Sequence, residues 1–97
     1  MTRQRVIDLL VSHESELRQL GVRSLSLFGS VARDEADEAS DVDLVVEFDH
    51  LPGLFGFFRL QHYIEDILKV DRVDLVMSTA IKARLRHQIN SEAIRVS

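Results

Sequence analysis

The stretch from Leu27 to Asp49, LFGSVARDEADEASDVDLVVEFD, decides how the rest of the chain is read. It starts and ends in apolar runs that read as buried strands, and between them six carboxylates fall within the ten residues from Asp34 to Asp43. A connection between strands must stay solvated, and that accounts for Asp34, Glu35, Asp37 and Glu38. Asp41 and Asp43 resist this explanation, because Asp43 stands between Val42 and Leu44, inside the apolar run. Successive strand residues point to opposite faces, so Asp41 and Asp43 project the same way with Cα atoms about 6.5 Å apart, while Val42 and Leu44 enter the other face.

Two carboxylates on one wall repel each other unless a cation stands between them. A pair of divalent ions bridged by such carboxylates turns the repulsion into a site, and oxygen-only ligands suit magnesium or manganese. At the start of the same stretch, Gly29 and Ser30 follow the first strand. The glycine permits close backbone approach, and the amides exposed from Ser30 to Ala32 are suited to phosphate oxygens. A third aspartate, Asp74, stands in RVDLV, a context that repeats the DVDLV around Asp43. On the same wall it is suited to ligate a metal and to orient or deprotonate an attacking hydroxyl. Phosphate donors beside metal ligands are the two halves of a nucleoside triphosphate site.

Outward from this stretch the pattern is α/β. Val6, Leu9, Leu10, Leu17 and Leu20 recur at helical spacing and predict one helix over residues 2–20, stopped by Gly21. Residues 23–28 alternate as a first strand, a short helical turn begins near Ser30, and DVDLVVEF is a second strand. Residues 54–70 carry Phe58, Ile64, Ile67 and Leu68 at helical intervals. RVDLVM is a third strand, and a closing helix begins near Thr79 and runs to Ile94. The expectation is one domain over residues 1–97, a small mixed β-sheet with helices packed on it.

Composition narrows the function. With 97 residues there is material for one core and no second lobe to enclose a substrate. The absence of cysteine points to a reducing compartment, with the cytoplasm the best fit. His13, Glu14 and Glu16 interrupt the N-terminal apolar run short of a signal peptide or membrane span, so no membrane role is expected. A net charge of -4 argues against a nucleic-acid-coating protein. The glycine and glutamate offsets of an EF-hand are missing from the acidic loop. His13, His50, His62 and His87 show no metal-ligand spacing, Lys82, Arg84, Arg86 and His87 form a basic group on the last helix, and Phe55, Phe57 and Phe58 read as ordinary packing with at least one ring outside the core.

Gly29 and Ser30, ten residues, then Asp41, Val42 and Asp43 resemble the GS-x10-DxD signature of the nucleotidyltransferase superfamily related to DNA polymerase beta. The fuller string FGSVARDEADEASDVDLVVEF, the later VDLV and the short chain resemble its minimal nucleotidyltransferase (MNT) branch over nearly the whole length. The resemblance implies the polymerase beta-like fold, two magnesium ions held by Asp41, Asp43 and Asp74, and ATP held by Gly29 and Ser30 with help from Arg33. It implies transfer of AMP with loss of pyrophosphate. It also implies a partner, a HEPN-domain ribonuclease toxin whose tyrosine receives the AMP, with this chain as the antitoxin. A binding-only antitoxin stands as the alternative. A nucleic-acid-tailing enzyme is disfavoured by the acidic balance.

Overall fold

A computed structural model describes residues 2–29, 42–50, 52–80 and 93–96. The turn expected near Ser30, the acids from Asp34 to Asp41 and the basic group Lys82, Arg84, Arg86 and His87 lie outside those residues. The expected first helix is two. Helix α1 (Arg3–Ser12) is capped by Thr2, whose hydroxyl accepts the Arg5 N–H at 3.2 Å. Helix α2 (Glu14–Gln19) follows after a break at His13. The break has a local cause. The Leu9 carbonyl is 2.8 Å from the Ser12 hydroxyl and 2.8 Å from His13 Nδ1, so side chains take the acceptor that the His13 N–H would use in a continuous helix. That N–H goes to the Leu10 carbonyl instead, at 3.2 Å. Gly21, with φ +94°, then turns the chain into the sheet.

The strands are β1 (Val22–Phe28), β2 (Val42–Phe48), β3 (Val73–Met77) and β4 (Ile94–Arg95), in the order β3-β2-β1-β4. β1 runs antiparallel to β2 and β4, while β2 and β3 are parallel, as a crossover helix permits. That helix is α3 (Leu54–Leu68), closed by Lys69 in the left-handed conformation at φ 57°. The mixed sheet is as expected, but its fourth strand is not. Of the last helix, predicted from Thr79 to Ile94, residues 81–92 lie outside the described residues; a 3-10 turn, Ser78–Ala80, stands at its start, and Ile94 at its end belongs to β4, pairing with Leu27. Two residues are too few to show the alternation by which a strand is recognised.

One face of the sheet supplies Leu25, Leu27, Leu44, Val46, Val73 and Leu75 to the core, packed against Val6, Leu10 and Leu17 from the first two helices and Leu60, Ile64 and Leu68 from α3. The predicted α3 stripe is thus shifted. Phe58 is 44% exposed and Ile67 only partly packed, while Leu60 takes the buried position. Phe55 is 85% exposed, so ordinary packing holds for Phe57 and fails for its neighbours. Among the described residues no helix is long and apolar enough to cross a membrane.

Candidate functional site

The second face of the sheet carries the two described aspartates of the expected site, Asp43 and Asp74. VDLV occurs twice, and the parallel pairing of β2 with β3 sets the copies side by side: Val42 opposite Val73, Asp43 opposite Asp74, Leu44 opposite Leu75, Val45 opposite Val76. Because Val42, Leu44, Val73 and Leu75 are all buried, the alternation of each strand sends Asp43 and Asp74 to the opposite face. Neighbouring strands lie about 4.8 Å apart, so the two carboxylates occupy one wall. Asp43 is half-buried and Asp74 exposed. On the other side of β2, Phe28 is the register partner of Asp43, which makes a row across three strands.

Gly29 closes that row. It has φ +77°, and a Cβ built on it would lie 3.1 Å from Asp43 Cγ and overlap Oδ2. The Asp43 carboxylate therefore rests against the bare Cα of Gly29, which joins the phosphate half of the expected site to the metal half. Ser30, Arg33 and Asp41 lie outside the described residues. Among the described residues no group of three metal-ligating side chains forms. Asp43 and Asp74 nonetheless fit magnesium or manganese: hard carboxylate oxygens, facing one another across adjacent strands, with a third expected two residues before Asp43.

Arg23 faces Glu47 at 3.4 Å. His13 packs edge-on against Tyr63 with centroids 6.3 Å apart, and His62 Nδ1 faces Glu65 at 3.3 Å. The Tyr63 phenol is held above its ordinary value of 10.0, first by burial and then by the charge of Glu16. Two contacts not anticipated from the sequence bear on Asp74 through its neighbour: Gln61 Nε2 donates to the Val73 carbonyl at 2.9 Å, and the Val73 N–H donates to Glu65 Oε2 at 3.0 Å. On a helix, a polar pair at this spacing reads as a solvated edge, so only the tertiary structure reveals it.

The nucleotidyltransferase domain family matches residues 10–96. Protein adenylyltransferase MntA of Thermococcus cleftensis is 39% identical over 97 residues, covering 99% of this chain and 97% of its own. A solved structure described as a candidate minimal nucleotidyltransferase is 37% identical with a TM-score of 0.84, covering 97% of this chain and 95% of that one. A chain in the structure of the tri-AMPylated Shewanella oneidensis HEPN toxin in complex with MNT antitoxin superposes with a TM-score of 0.66 at 20% identity, over 94% of this chain and 71% of that one. At that identity the likeness is one of fold.

Proposed function

Because this chain belongs to the nucleotidyltransferase domain family, we propose that it moves AMP from ATP to a hydroxyl of a partner protein, and that it serves as the antitoxin of a HEPN ribonuclease toxin whose tyrosine is the acceptor. The observation that carries this reading is the placement of Asp43 opposite Asp74, with Gly29 against the Asp43 carboxylate. The adenylyl group and the protein acceptor follow the description of the Thermococcus cleftensis relative. The HEPN partner follows the description of the Shewanella oneidensis complex. The described strands and helices form one layer pair with Asp74 exposed beside a half-buried Asp43, an arrangement that favours an acceptor brought in by a macromolecule. The lack of cysteine suits work in the cytoplasm.

In this reaction the acceptor oxygen forms a bond to the α-phosphorus as the bond to the β-phosphate bridge breaks, and pyrophosphate leaves. Divalent ions, when bound, supply positive charge to the triphosphate and to the attacking oxygen. Asp43 and Asp74, with Asp41, are the residues to hold them. Gly29 keeps the backbone low beside the Asp43 carboxylate, and Gly29, Ser30 and Arg33 hold the triphosphate. Asp74, more exposed than Asp43, orients the acceptor hydroxyl and takes its proton.

The test is intact-mass spectrometry of the partner toxin after incubation with this protein, ATP and magnesium. A gain of one or more AMP units, lost in an Asp43→Asn variant, is the expected result. No gain, together with a stable complex that still silences the toxin, would replace this reading with the binding-only antitoxin.

A further inference from the structure

Among the described strands β3 lies at the edge of the sheet, and its first residue is gripped by a helix. Gln61 and Glu65, one turn apart on α3, bond to both backbone polar groups of Val73, the one as donor to its carbonyl at 2.9 Å and the other as acceptor from its N–H at 3.0 Å. The Val73 carbonyl belongs to the peptide plane whose nitrogen is that of Asp74. The Val73 N–H belongs to the preceding plane, so holding both groups fixes the peptide planes on either side of the Val73 Cα, and with them the direction in which the Asp74 side chain leaves β3. The helix is itself anchored, since Leu60, Ile64 and Leu68 are fully or almost fully buried. Glu65 is also well shielded, with its side chain 15% exposed. By contrast, Asp74 is at the surface, on a strand that among the described residues pairs with β2 alone, and its carboxylate has freedom to lose.

We propose that Gln61 and Glu65 are positioning residues, which set Asp74 against Asp43 by clamping the backbone of Val73. The inference rests on the metal-site reading of the two aspartates given above. Capping a sheet edge against other strands is a second effect of the same bonds. The clamp differs from a mere cap in what it predicts for metal binding.

The chemistry of the two side chains supplies the controls. A Glu65→Gln variant keeps an oxygen able to accept the Val73 N–H, whereas Glu65→Met keeps the length and loses the acceptor. Gln61→Met loses the donor. The experiment is a Mn2+ titration of the full-length protein followed by electron paramagnetic resonance, with amide hydrogen exchange of Val73 read on the same samples. Wild type and Glu65→Gln are expected to bind alike. Glu65→Met and Gln61→Met are expected to bind roughly ten-fold more weakly, the lower end of the effect seen when groups supporting metal ligands are removed. In Glu65→Met the Val73 amide also exchanges faster. Unchanged Mn2+ affinity in folded Glu65→Met and Gln61→Met overturns the clamp and leaves the metal site standing. Equal weakening in Glu65→Gln and Glu65→Met also overturns it, because charge and not the hydrogen bond would then be responsible. If wild type binds no Mn2+, the metal-site reading fails, and the clamp with it.

Discussion

Gly29, Asp43 and Asp74 place different demands on the chain. Gly29 combines φ +77° with an Asp43 carboxylate lying where a Cβ would be. Gly29→Ala therefore meets both the left-handed penalty, about 1–2 kcal/mol, and a steric overlap that must move Asp43. Chemical denaturation should show a loss of at least that size, and AMP transfer should fall further than stability alone explains. Asp74→Asn makes the opposite pattern: the side chain is exposed, so unfolding should shift by no more than about 0.5 kcal/mol, while the transfer rate falls on the order of 100-fold or more for loss of a proton acceptor. A large stability change with little loss of rate would assign Asp74 a structural role. That Asp43 and Asp74 leave their strands away from the core was legible in the repeated VDLV, because a β-branched, apolar frame fixes which face an inserted aspartate takes. Their direct opposition was not, since register depends on how β2 and β3 slide against one another.

At the element scale, α3 both fills the core and steadies the site. Leu60 is fully buried in its apolar stripe, and Leu60→Ala should lower the unfolding free energy by about 2–5 kcal/mol in a denaturant titration. The same helix carries Tyr63, whose half-buried phenol, also near the charge of Glu16, has its pKa raised above 10.0 in the fold. A raised pKa favours the protonated form in the native state, so this contribution is complete below pH 10 and is lost as pH rises through the folded value. Stability measured upward from pH 10 should therefore decline more steeply in the wild type than in Tyr63→Phe. Equal slopes would show that Tyr63 is not the group responsible. The elements themselves were largely legible as periodicities. The break at His13 was hidden because Val6, Leu10 and Leu17 keep a helical spacing across it, and the competing bonds to the Leu9 carbonyl come from side chains common on helices. β4 was hidden by brevity. The clamp by Gln61 and Glu65 was hidden because it requires a backbone partner twelve and eight residues away.

At the scale of the whole molecule, the sheet separates two tasks. One face commits its side chains to the core with α1, α2 and α3, and the other holds the aspartate row beside Gly29. Such a division shows how a 97-residue chain has room for the proposed nucleotide site: Val42, Leu44, Val73 and Leu75 are core residues that alternate with Asp43 and Asp74. The measurement that tests this most directly is anomalous scattering from crystals of the protein grown with Mn2+ and a non-hydrolysable ATP analogue. A manganese peak in contact with the carboxylates of both Asp43 and Asp74, with the triphosphate running toward Gly29, is the predicted result. Manganese bound away from that pair, with the nucleotide elsewhere on the surface, would contradict the account.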